Sequence, residues 1–321
     1  MAHQVETMAY AGDLPWHGLG VKVSNELTPA MMMEKAGLDW SVEKKDMKVI
    51  DGMKSITIPG RKALIRSSDN KFLDVVGDDW HPIQNAEVFD FFTEFVMAGD
   101  MEMHTAGSLK GGSIIWALAK VKESFDVFGD DRVDAYMLLS SPHQYGKSMD
   151  VRFTPIRVVC NNTLTMSLQQ ESKRSVKVRH RTAFDPDSVK ETLGIAHEKF
   201  AKYKDMAQFL GSKKFSVDNL INYYNELFPT TSRREEQKVK PVSGYKDLSR
   251  AAQMCYDALE VQPGAEYAPG SWWQALNSVT YFTDHQQGRN AENRLHSQWF
   301  GYNQGRKVKA AEKAVEFARA S

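Results

Sequence analysis

"RFTPIRVVCNNTLTMSLQQ", residues 152–170, opens as a buried strand and then changes character. Phe153, Ile156, Val158 and Val159 are aromatic or β-branched, residue types that suit a pleated, half-buried surface. Cys160, Asn161, Asn162 and Thr163 follow as four small polar or reactive residues, ahead of the helix-favouring run "TLTMSLQQ". Such a turn can be a catalytic elbow, a ligand-binding loop or the end of a strand. Asn161 and Asn162 suit the last role, satisfying exposed backbone groups or capping the helix that the next residues predict.

Upstream, short β-rich runs surround one helix. Residues 40–50, 55–68 and 70–80 read as strands, with turn signals at Asp51-Gly52, Pro59-Gly60 and Asp69-Asn70. Asn85 is placed to cap a helix, "AEVFDFFTEFVMAG", with Val88, Phe91, Phe92, Phe95 and Val96 on one face and Gly99 ending it. "MEMHTAGSL" and "SIIWALAKV" flank a hairpin turn at Lys110-Gly111-Gly112, and "DAYMLLSS" leads through 143–147 into the opening stretch. The expectation is an α+β fold: an antiparallel β-meander with a packed helix in the N-terminal half and an all-helical C-terminal half. Helical spacing begins near residue 185, so a sheet domain is expected over 1–183 and a helical domain over 184–321. Its polar, Pro-bounded stretch 229–244 reads as an exposed loop.

The 321 residues allow two domains or one large one with a proper core. Lys+Arg and Asp+Glu balance at 41 each, so attraction to a polyanion must come from local patches. The two cysteines, Cys160 and Cys255, argue against a disulfide framework and for a reducing, cytoplasmic setting. The opening "MAHQVETMAYAGDLPWHGLG" lacks a secretory pattern, and no window approaches the roughly 20 apolar residues of a membrane span.

Neither cysteine has the neighbouring Cys or His of a zinc site, and Asp284-His285 stand apart from His296 with no HxxxH pattern; no metal and no cofactor are expected. P-loop, GxGxxG and GxSxG motifs are absent. Cys160 with Asn161 and a distant histidine can be drawn as a nucleophilic arrangement, but a cysteine closing an apolar strand is more often a small buried residue. An enzyme acting on nucleic acid or a nucleotide, with Cys160 or His285 in a polar pocket, stays open as the alternative, as does a protein-binding anti-defence factor.

Charge placement is the strongest signal. Between Ile156 and Thr182 stand Arg157, Lys173, Arg174, Lys177, Arg179 and Arg181 against Glu171 alone, a net +5 (six minus one) in a neutral chain. Lys177, Arg179 and Arg181 would share one face of an extended segment, a pattern that tracks phosphate; the plain alternative is a solvated edge strand protected by cations. A second zone, 285–321, carries seven cations against three acids, with Arg289 and Arg294 at its start and Trp299, Phe300 and Tyr302 interleaved. Aromatics within a cationic groove suit sequence-tolerant single-strand binding, whereas the plainer fate of at least one of Trp299 and Phe300 is to pack the last helix onto the body. Asp284 is expected to clamp an arginine at a helix end, with His285 beside it.

"PWHGLG" (15–20), "AGLDWSV" (36–42), "VVGDDWHPIQNAEVFDFF" (75–92), "TAGSLKGGSIIWALAKV" (105–121) and "FTPIRVVCNNTLTMSL" (153–168) occur in that order. "RHRTAF" (179–184), "WWQALNSVTYFTDHQQGR" (272–289) and "RLHSQWFG" (294–301) complete the set. Together they resemble the phage/plasmid-like proteins of domain-of-unknown-function family nine-three-two. The resemblance implies a mobile-element protein of replication, recombination or anti-defence. Its β-meander with a helix and its basic segments are similar in architecture to single-strand annealing proteins of the RecT and Redβ type, which form rings or filaments. The expectation is a cytoplasmic binder of single-stranded nucleic acid, DNA before RNA, able to form a homo-oligomer. Arg157, the 173–181 cations, Arg289 and Arg294 would meet the ligand, while Cys160, Asn161, Asn162, Asp284, His285 and Trp299 shape the site.

Overall fold

A computed structural model describes residues 5–12, 19–157, 162–163, 166–167, 177–178, 186–229, 248–288, 297–299 and 301–321. The protein is α+β, and it forms two compact units interleaved along the chain. The first comprises Met1–Lys122, Tyr136–Phe153 and Ser167–Ala196; the second comprises Glu123–Ala135, Thr154–Met166 and His197–Ser321.

The expected run of consecutive strands is present as β6 (Met101–Leu109), β7 (Ile114–Asp126), β8 (Arg132–Pro142) and β9 (Met149–Arg157), neighbours in sequence order in one sheet. The β6–β7 turn uses left-handed Lys110, Gly111 and Gly112, with φ of 52°, 66° and 86°. The sheet is mixed, however. β1 (Val5–Ala11) pairs antiparallel with β6 on one side and parallel with β2 (Val21–Val23) on the other. Gly107 makes this possible, since a Cβ there would collide with the Thr7 carbonyl of β1.

A separate antiparallel sheet holds β3 (Val42–Asp51), β4 (Lys54–Arg66) and β5 (Phe72–Val76). Pro59-Gly60, expected as a turn, lies inside β4. Asp46 pairs with Lys62 and Lys48 with Thr57, so residues 58–61 oppose Met47 alone as a bulge. Proline lacks the N–H that a ladder needs, and Gly60 adopts φ +71°, so the pair is accommodated by a bulge as readily as by a chain reversal.

The predicted single helix is two: α2 (Asn85–Asp90) and α3 (Thr93–Met97), following α1 (Pro29–Lys35). Phe92 N–H reaches Phe89 O, a tightened turn, and Phe89, Phe91, Phe92 and Phe95 are all buried. Asn85 is not the cap. Gln84 holds that position, its N–H donating to Glu87 Oε2 at 2.6 Å, and its side-chain amide bridges Val42 N and O.

The second unit is built on α5 (Val217–Leu227), α6 (Arg250–Val261), α7 (Trp272–Tyr281) and α8 (Tyr302–Ala320), with the later turns of α4 (Pro186–Ser212). Ser216, Ser249 and Ser271 cap α5, α6 and α7, each accepting from the N–H three residues on. Trp272, Trp273, Tyr223, Tyr224, Leu276 and Val279 form the core, and Trp273 Nε1 donates to the buried Asp131 at 2.9 Å. Among the described residues no helix is long and apolar enough to cross a membrane. The loop expected over 229–244 lies, from residue 230 onward, outside the described residues.

Candidate nucleic-acid interface

Strand β9 organises the opening stretch. After it, Asn162–Thr163 (β10) lies antiparallel to it, Asn162 opposite Arg157 and Thr163 opposite Ile156. Met166–Ser167 (β11) also pairs with β9, so the helix expected from Thr163 is absent at these positions. The backbone groups offered by β9's outer edge explain the outcome: pairing there satisfies them, which weak helix propensity does not outweigh.

In the first unit, Lys177–Val178 (β12) pairs antiparallel with the start of β9, Lys177 opposite Asp150 and Val178 opposite Met149. The cation row therefore begins in extended backbone on the outer edge of a sheet. Asp150 Oδ2, directly across, accepts from Arg152 Nε at 2.6 Å. Arg157, Asn162 and Lys177 are described through their backbone only. Lys173, Arg174, Arg179, Arg181, Arg289, Arg294, Cys160 and Asn161 lie outside the described residues.

Among the described residues of the second basic zone, Arg306, Lys307 and Lys313 are engaged within their own unit. Arg306 stacks over Phe228 and Tyr302, at 4.5 and 4.4 Å from the ring centroids. Lys313 pairs with Glu226 and Glu316, both at 2.8 Å. Asp284 lies in a π-helical turn, Phe282–Gln286, that continues α7; its carboxylate meets Lys307 Nζ at 2.7 Å, and both side chains are fully buried. The clamp's described partner is thus a lysine of α8, where an arginine was expected. Gln298 donates to the Asp284 carbonyl and Asn303 to that of Thr283, tying the turn to the chain that follows. Burial pulls the Lys307 ammonium pKa down, and Asp284 opposes that shift. His285 packs its ring 4.9 Å from that of Tyr281, and Trp299 is buried, which removes its faces from base stacking.

Two polar clusters of the first unit went unread in the sequence. Asn85 Nδ2 donates to Leu38 O and Trp40 O, while its Oδ1 lies 3.0 Å from Nε2 of the buried His143. Arg66 forks onto Glu6 at 2.7 and 3.0 Å and onto Asp69 at 2.8 and 2.6 Å, and Lys71 adds 3.2 Å to Glu6. A Cβ at Gly112 would stand 2.8 Å from Arg66 Nη1, so the glycine turn leaves room for this guanidinium. Charges so fully compensated hold a fold together; they do not present themselves to a ligand. Cys255 is also buried, and burial pushes its thiol well above the usual range, away from nucleophilic use. Among the described residues no three His, Cys, Asp or Glu side chains assemble to hold a metal.

One exposed surface was also passed over. Residues 48–57, the outer part of the β3–β4 hairpin, are exposed without interruption. Their mixture of charged and apolar residues gives no sign of that exposure. Only the shortness of β5, which pairs with Lys62 to Ile65 and no further, leaves the rest uncovered.

The family model described as Domain of unknown function (DUF932) matches residues 72–299. No curated protein and no solved structure matches the chain. The matched span runs from β5 to Trp299, taking in the β6–β9 strands, the glycine turn, the Trp272–Trp273 core and the Asp284 turn. It covers more than two thirds of the 321 residues, and the protein belongs to the DUF932 family.

Proposed function

We propose that this protein binds single-stranded nucleic acid, DNA in preference to RNA, without nucleotide or metal chemistry of its own. The observation that carries the reading is the cation row beginning at Lys177, which opens in extended backbone on an outer sheet edge of a chain with no net charge. An extended segment repeats its side chains on one face about every 6.6–6.8 Å, close to the phosphate spacing of a stretched single strand. Lys173, Arg174, Lys177, Arg179 and Arg181 therefore supply the phosphate contacts in this reading, with aromatic stacking a lesser contributor now that Trp299 is buried. Arg157, Arg289 and Arg294, in the second unit, are proposed as further contacts.

The test is a fluorescence-anisotropy titration of a labelled single-stranded oligonucleotide with the wild type and with Lys177→Ala/Arg179→Ala/Arg181→Ala. The variant is expected to lose affinity at low salt while melting at the wild-type temperature. Equal affinity for the two proteins would remove the row from the interface.

A further inference from the structure

The β3–β4 hairpin continues beyond its sheet as a two-stranded arm. Inside Asp46 and Lys62 it is backed by β5; outside, the ladder resumes with Lys48 opposite Thr57, Val49 opposite Ile56, Ile50 opposite Ser55 and Asp51 opposite Lys54. Gly52, at φ +59°, makes the two-residue reversal with Met53. Four of the twelve exposed large apolar residues among those described fall within eight positions here: Val49 at 49%, Ile50 at 78%, Met53 at 105% and Ile56 at 57% exposure. Directly opposed residues share a face, so Val49 and Ile56 occupy one side of the ribbon and Ile50 the other. Neither face is a core face. An isolated two-stranded ribbon is marginally stable in water, and apolar side chains gathered at its end mark a contact surface.

Charge selects the occupant. Residues 47–61 carry Lys48, Lys54 and Arg61 against Asp51, and the three cations form no ion pair among the described residues. A second copy of the arm would bring the same excess of positive charge to the contact; a polyanion complements it. A two-stranded ribbon fits a groove of duplex DNA, and Ile or Met side chains are among those that wedge between base steps when a protein enters the minor groove. We propose that the arm grips duplex DNA, with Ile50 and Met53 as an apolar wedge at a base step and Lys48, Lys54 and Arg61 on the flanking phosphates. The proposal rests on the nucleic-acid reading above and extends it: the protein engages duplex as well as single-stranded DNA.

The experiment uses the full chain with two probes, a short duplex carrying 2-aminopurine and a labelled single strand of the same sequence. Wild type is expected to bind the duplex and raise the 2-aminopurine fluorescence as the base unstacks. Ile50→Ser/Met53→Ser is expected to abolish that rise and weaken duplex binding about tenfold, with single-strand affinity retained. These exposed positions leave the fold intact, checked by an unchanged melting temperature. Wild-type-like duplex binding and fluorescence in this variant would overturn the proposal, as would a wild type that binds single strands and ignores the duplex. If the variant instead turns an oligomer into a monomer on sedimentation, with duplex affinity unchanged, the arm serves a second copy and the proposal is wrong. Arm-dependent duplex binding by a protein with no affinity for single strands would support the arm and refute the single-strand reading.

Discussion

Asp284 and Lys307 show how much a single pair of residues decides. Each side chain has been taken fully out of water, and the 2.7 Å contact between them compensates that burial. Lys307→Met or Asp284→Asn is therefore expected to cost about 3–5 kcal/mol in urea unfolding, and the double variant less than the sum of the two. Additive or negligible losses would mean that the pair is not coupled. The Arg66 cluster makes a prediction about pH. Burial pushes the Glu6 carboxyl up, but hydrogen bonds from Arg66 and Lys71 outweigh it and hold the pKa below the usual glutamate value. The Arg66 hydrogen bonds hold Asp69 lower still relative to its ordinary 3.8. Both folded values are depressed, so their contribution is present above the unfolded pKa values, 4.5 and 3.8, and is lost as pH falls through the folded ones. The gap in melting temperature between wild type and Arg66→Met should be widest near neutral pH and should narrow steadily below about pH 4.5. A gap that stays constant down to strong acid would show that these carboxylates do not titrate with the arginine.

At the level of elements, strands and helices were legible where their periodicity stood alone, and less so where one sequence signal serves two geometries. The β6–β9 strands and the later helices follow their apolar spacing directly. Pro59-Gly60 did not, because a proline and a left-handed glycine satisfy a bulge as well as a turn, and only cross-strand register separates the two. The break between α2 and α3 was hidden by four phenylalanines that a continuous helix would also bury in part. β1 carried no alternation to betray it: Met8, Ala9, Tyr10 and Ala11 are buried in succession. The residue type of Asn85 favours a cap, yet it works one position inside the helix as a hub between α2, the Leu38–Trp40 segment and His143. Asn85→Ala would strand those buried groups, and a loss of about 2–3 kcal/mol in chemical denaturation is expected. An unchanged midpoint would relegate the hub to a bystander.

For the molecule as a whole, the sequence revealed where positive charge accumulates but not what that charge faces. The C-terminal zone and the 156–182 segment look alike as strings of Lys and Arg. In the fold, Arg306, Lys307 and Lys313 turn to Phe228, Asp284 and Glu226 of their own unit, whereas the row from Lys177 starts on a sheet edge. Partners such as these are not written in composition. The same holds for the β3–β4 arm, whose exposure depends on where β5 stops. The measurement that tests the central claim most directly is the affinity of the wild-type protein for a single-stranded oligonucleotide as a function of salt. With the five cations of 173–181 on phosphates, log affinity should fall by at least about 3.5 per decade of salt, at roughly 0.7 for each contact, and more steeply with each further contact from Arg157, Arg289 or Arg294. No binding at about 50 mM salt, or an affinity indifferent to salt between about 50 and 200 mM, would contradict the account.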